Sequence, residues 1–160
     1  MPVESGTIAP VVKEVTVPLP VERAWQLFTA EAASWWPLRT HSVAGDDAIG
    51  CTFQAYVGGR LYETARDGTE HTWGTLLEWQ PPLRFAMTWH PGRTPSTEQH
   101  LEVTFTPADD GRSTTVRLVH TGWEKLGKAG PDERDSYLRG WDYVLGFFTA
   151  AAAGDAPAAS

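Results

Sequence analysis

With 160 residues, 41% of them hydrophobic and 21% charged, the chain is sized for one globular domain with its own core. Thirteen basic against twenty acidic side chains leave a formal charge of −7 and no run of Lys or Arg, which argues against nucleic acid and anionic membranes as partners. The single cysteine, Cys51, excludes an intramolecular disulfide and a multi-cysteine metal site. No stretch reaches bilayer length, and MPVESGTIAP shows neither the basic nor the apolar region of a secretory leader, so a soluble cytoplasmic protein is expected.

Val11–Val17 (VVKEVTV) is β-branched and partly alternating, which predicts a strand that ends at Pro18 and Pro20. Pro20 suits the entry to a helix from Val21 to about Ala30, with Glu22 favourably placed against the N-terminal dipole. Val21, Ala24, Trp25 and Phe28 recur at i, i+3, i+4 and i+7 and form one buried stripe. A second short helical piece, Ala32–Trp36, stops at Pro37. Adjacent Trp35 and Trp36 cannot both face the core, so one of them lines an edge or an opening.

The period then changes. Cys51–Val57, Arg60–Ala65, His71–Trp79, Arg84–His90, Gln99–Thr106 and Thr114–Thr121 read as strands. Between them stand Gly58-Gly59, Asp67-Gly68, Pro81-Pro82, Pro91-Gly92 and Asp109-Asp110-Gly111, the residues of hairpins and turns. Pro131-Asp132-Glu133 opens a long helix to about Ala153, with Tyr137, Leu138, Trp141, Val144, Leu145 and Phe148 on one side. Residues 1–10 and 154–160 read as flexible ends, which leaves 11–153 as one domain. The order predicts an α+β architecture, a curved antiparallel sheet of about seven strands covered by the C-terminal helix, with space for a cavity between them.

Enzyme signatures are absent. GxGxxG, the P-loop, HExxH and GxSxG do not occur, and the five histidines stand in separate elements, so neither a cofactor nor a metal is expected. Cys51, beside Gly50 with no basic neighbour, reads as a small core residue. The unusual feature is eight tryptophans, side chains favoured where large apolar surfaces meet a ligand. Candidate cavity-lining residues are Trp25, Trp36, Tyr62, Trp73, Trp89, Trp123, Trp141 and Phe148, each of which reads equally well as core. Two polar residues join them. His120 follows Val116 and Leu118 in strand parity, as a core-edge histidine or a ligand contact. Glu63 shares parity with Leu61 and Ala65, and a carboxylate there is either solvent-exposed or a functional acceptor.

From Val11 through Phe148 the chain resembles the START-like (SRPBCC, helix-grip) superfamily, in its branch related to the activator of the heat-shock-protein-90 ATPase. The resemblance is carried, in order, by PVERAWQLF, WWP at Trp35–Pro37, GGRLYE at Gly58–Glu63 and DGTEHTWGTLLEWQPPLRFAMTW at Asp67–Trp89. VTFTPADDG, LVHTGWEKLG and GWDYVLGFF at Gly140–Phe148 complete it. The same pieces are similar to enediyne self-resistance proteins. The resemblance implies a helix-grip fold with an apolar cavity under the long helix, and fold alone does not assign an activity.

The first functional expectation is binding of a hydrophobic, aromatic or polyketide-like small molecule. The alternatives are sequestration of an enediyne antibiotic, a cyclase- or hydrolase-like enzyme with His120 as base and Glu63 as its partner, and a co-chaperone-type interaction module. A monomer or weak homodimer is expected, with the loops around Thr40–Gly50 and Gly92–Gln99 gating the cavity.

Overall fold

The computed structural model describes residues 8–92 and 97–155. The chain runs β1 (Val11–Val17), α1 (Val21–Phe28), single 3-10 turns at Ala32–Ser34 and Gly45–Asp47, then six strands. These are β2 (Ala48–Phe53), β3 (Arg60–Ala65), β4 (Glu70–Gln80), β5 (Arg84–Trp89), β6 (Gln99–Pro107) and β7 (Thr114–Thr121). A 3-10 segment, Trp123–Ala129, leads into α2 (Gly130–Asp155). All seven strands form one antiparallel sheet in the order β1-β7-β6-β5-β4-β3-β2. Its curled inner face holds α2, as expected of a helix-grip fold.

The curl has a local cause in β4. Register shifts fall between Leu61 and Tyr62 in the β3 pairing and between Leu76 and Glu78 in the β5 pairing, so β4 carries one extra residue against each neighbour. Bulges of this kind bend a strand and increase its twist. Between them lies Gly74, where an added Cβ would stand 1.7 Å from the carbonyl oxygen of Thr88. Gly74→Ala is therefore expected to cost about 3 kcal/mol, since backbone cannot yield as a side chain does. Urea denaturation would show it as a lowered midpoint with an unchanged slope.

Differences from the sequence expectation are small and have physical reasons. The strand expected over Cys51–Val57 begins and ends earlier, because the chain doubles back at Gly59, where a Cβ would meet Gln54 O at 2.2 Å. The expected helical piece at Ala32–Trp36 is only a 3-10 turn over Ala32–Ser34. Helix α2 runs through Asp155 rather than ending near Ala153, its end held by Arg23, which also binds Glu31. Ala9 and Pro10, expected to be loose, accept hydrogen bonds from Arg134 through their carbonyls. The remainder of both expected flexible ends, 1–7 and 156–160, lies outside the described residues. No helix among the described residues is long and apolar enough to cross a membrane.

The core aromatics gather at two ends, bridged by Trp35. At one end Trp25 and Phe28 of α1 meet Trp79, Phe85, Phe105 and Phe148; Trp25 lies 4.9 Å from Trp79 and 5.1 Å from Phe105 between ring centres. At the other end Trp36, Trp73, Trp89 and Trp141 converge, and there the packing is incomplete.

Candidate functional site

A cleft of about 470 Å³ opens between α2, the inner face of β4 and β5, and the segment 40–43. That volume lies in the range of small-molecule sites. Trp36, Trp73, Trp89 and Trp141 form its floor and walls, with ring-centre separations of 5.0 Å for Trp36–Trp73 and 5.3 Å for Trp89–Trp141. Each indole N–H is already used inside the protein. Trp36 donates to the carbonyl of His41 (2.8 Å), Trp73 to Glu63 Oε1 (2.6 Å), Trp89 to the Tyr137 hydroxyl (3.1 Å) and Trp141 to His120 Nδ1 (3.0 Å). The walls therefore offer a ligand π faces and apolar area, while polar groups stand at the rim: Thr40, His41, Ser42, Glu133, Ser136 and Tyr137.

The expected distribution of the adjacent tryptophans is explained here. Trp35 is buried, donating to the carbonyl of Leu27 (2.7 Å), while half-buried Trp36 borders the cleft. Of the other candidates, Trp73, Trp89 and Trp141 also border it. Trp25 and Phe148 belong to the opposite aromatic group. Tyr62 alternates to the outer face of β3, where the Arg60 guanidinium lies 4.3 Å from its ring centre. Trp123 is fully buried under His120, 4.0 Å between ring centres, and donates to its carbonyl.

Glu63 and His120 both point inward, and neither lines the cleft; each holds its wall from behind. Fully buried Glu63 accepts three hydrogen bonds: Oε1 from Val43 N (2.6 Å) and Trp73 Nε1, Oε2 from Ala44 N (2.7 Å). The segment around Thr40–Gly50, read from sequence as a gate, is thus tied to β3 at 43–44. Of the other expected gate, residues 93–96 lie outside the described residues. His120 is also fully buried, its Nδ1 accepting from Trp141 and its Nε2 facing Gln99 Oε1 at 3.1 Å. Nδ1 is the acceptor, so Nε2 carries the proton and donates to Gln99. Burial, helped by the charge of His100, pushes this imidazole down to about 3. The base-and-partner arrangement weighed for these two residues thus has both side chains engaged by the protein. Cys51, buried opposite Glu63 in the β2–β3 register, is pushed up to about 12 by burial and the Glu63 charge, so it stays an unreactive thiol.

Sequence reasoning did not assign the rim to the site. Tyr137 stands at i−4 from Trp141, and Gly140 at i+3 from Tyr137 and i−4 from Val144, so the helical period could have added both. Thr40, His41 and Ser42 lie in irregular chain, where no periodicity marks a direction.

The sequence profile of the family described as Activator of Hsp90 ATPase homolog 1-like protein matches residues 18–152. The chain belongs to this family. Among solved structures, Txn09, an anthrahydroquino-γ-pyrone synthase complexed with SUM, is 37% identical with a TM-score of 0.57, covering 82% of this chain and 86% of that one. CalC from Micromonospora echinospora, a self-sacrificing resistance protein, is 25% identical with a TM-score of 0.69, covering 94% of this chain and 98% of that one. A protein from Mesorhizobium loti, MLL2253, is 18% identical over 88% of this chain and 94% of that one, with a TM-score of 0.64, and shares the fold. Among curated proteins no match to the chain is found. At the level of class, the family match and the likeness to Txn09 and CalC support small-molecule binding.

Proposed function

We propose that this protein binds a flat, polycyclic aromatic molecule of polyketide type in the tryptophan-walled cleft. The observation that carries the reading is the convergence of four indoles whose N–H groups are all spent within the protein. Such walls reward aromatic area and stacking, while the rim of hydroxyl, imidazole and carboxyl groups orients the polar edge of a ligand. The 37% identity to an anthrahydroquino-γ-pyrone synthase supports the same ligand class.

The test is a titration with anthraquinones, followed by tryptophan fluorescence and amide NMR shifts. Saturable quenching with shifts centred on Trp36, Trp73 and Trp141 is expected. Trp36→Ala should weaken binding by roughly tenfold, in the range lost with one stacking face, and should also lower the thermal midpoint, because it removes the hydrogen bond to His41 and the ring contacts with Trp73 and Trp141. No saturable response in the wild-type protein would overturn the reading.

A second reading, favoured by the same 37% identity, is that the bound molecule undergoes ring closure. Return of the ligand unchanged after prolonged incubation separates binding from turnover. A likeness to a self-sacrificing protein supports the sequestration reading, in which an enediyne would cleave this chain.

A further inference from the structure

His41 stands where irregular chain meets α2, and its ring is held on several sides. It stacks on Tyr143 with 4.8 Å between ring centres and an interplanar angle of 23°. Its carbonyl receives the Trp36 indole, and its Nδ1 lies 2.8 Å from Thr40 Oγ1. Thr40 Oγ1 donates to the carbonyl of Pro37 at 3.3 Å. A hydroxyl has one proton, so its remaining capacity toward His41 is that of an acceptor, and Nδ1 carries the ring proton. Among the described residues no hydrogen bond engages Nε2, which keeps its lone pair.

Nε2 lies toward α2. Position 140 on α2 is glycine, and a Cβ there would lie 3.9 Å from His41 Nε2. Both residues border the cleft, as do Trp73 and Trp89. Burial holds the imidazole below its ordinary range, so the ring is neutral near pH 7. The other titratable groups at the cleft and at this ring, Glu133, Tyr137 and Tyr143, all belong to α2.

We propose that His41 Nε2 is the acceptor for a phenolic O–H on the bound aromatic molecule, so that the cleft selects hydroxylated polycycles over their non-hydroxylated isosteres. The inference rests on the aromatic-ligand reading and goes beyond it, because the tryptophan walls alone do not distinguish a hydroxyl from a methyl group. An acceptor at this point also draws electron density toward the phenol oxygen, the polarisation that closure of an oxygen-containing ring requires.

The experiment compares 2-hydroxyanthraquinone with its isostere 2-methylanthraquinone, at one pH, on wild-type protein and His41→Phe. Phenylalanine keeps a ring to stack on Tyr143 and removes the acceptor. The wild type is expected to prefer the hydroxylated probe by about tenfold, the upper range of one net hydrogen bond. In His41→Phe the preference should collapse to within about twofold, with affinity for the methyl probe retained. Side-chain 15N NMR of wild-type His41 provides an independent reading that does not depend on the variant. It should show Nε2 unprotonated in the free protein and shifted on binding the hydroxyl probe only. Binding of both probes with equal affinity, or a protonated Nε2 in the free protein, would overturn the proposal for His41 and leave the aromatic-ligand reading standing. Failure of both probes to bind the wild type would instead remove that reading, and the proposal with it.

Discussion

Replacing Glu63 by leucine is expected to lower the unfolding free energy by about 4 kcal/mol, because the buried Trp73 indole and two part-buried backbone N–H groups lose their acceptor, and an orphaned buried donor costs roughly 1–3 kcal/mol. Val43 N, Ala44 N and Trp73 Nε1 all point at this one carboxylate from elements 10 to 20 residues away. The carboxylate itself is fully buried. For a domain whose total stability is of order 5–15 kcal/mol, such a loss approaches unfolding. Glu63→Gln is the informative second variant. Its amide keeps one acceptor oxygen and turns a donor toward a donor, so about 2 kcal/mol is expected, with the fold retained. In that variant, hydrogen exchange should accelerate at Val43 and Ala44, and the cleft should lose affinity for aromatic probes as Trp73 and the 42–44 segment loosen. Stability within about 0.5 kcal/mol of wild type in both variants, the range of an ordinary surface substitution, would show that this carboxylate does not organise the cleft.

The second large effect is one of pH. Burial holds the folded His120 near 3, while an unfolded chain takes up the same proton near 6.5. Between these values the unfolded state binds more protons, so stability rises with pH in that window and is lost as pH falls through it. From pH 7.5 to pH 5 the loss attributable to His120 is expected to be about 2 kcal/mol. The carboxylates held below their ordinary range act in the same direction but at lower pH. Among them are Glu31 and Asp155 beside Arg23 and Glu78 beside Arg84, which charge well before pH 5 is reached from below. Denaturant melts at the two pH values, on wild type and His120→Phe, isolate the histidine. The variant should start less stable, since Trp141 Nε1 and Gln99 lose their partner, yet show a pH slope flatter by that same amount. Equal slopes in the two proteins would refute a neutral, sealed imidazole.

Both residues illustrate how far strand alternation carries. Parity groups Glu63 with Leu61 and Ala65 and leaves it between solvent and a functional role, and groups His120 with Val116 and Leu118; the structure turns both inward. With Glu63 inward, the same alternation sends Tyr62 outward, beside Arg60. What parity does not contain is the partner. An inward carboxylate is a ligand group, a catalyst or a wall tie according to which donors reach it, and here these come from positions 43, 44 and 73.

The aromatics show the same boundary. Trp25 and Trp36 are both candidate lining residues by sequence, yet one is packed among Trp79, Phe85 and Phe105 and the other borders a cleft. Which end of a curved sheet an inward side chain meets depends on the bulges in β4 and the path of α2.

By itself the sequence determined the element order and the faces of the strands, because periods of 2 and 3.6 residues and turn chemistry are local properties of the chain, and the resemblance of its ordered motifs pointed to the family. Only the tertiary structure decided which tryptophans remain open, what Glu63 and His120 hold, and that His41 faces the cleft. Those outcomes follow from hydrogen bonds and contacts between segments distant in sequence, and a local pattern carries no record of them.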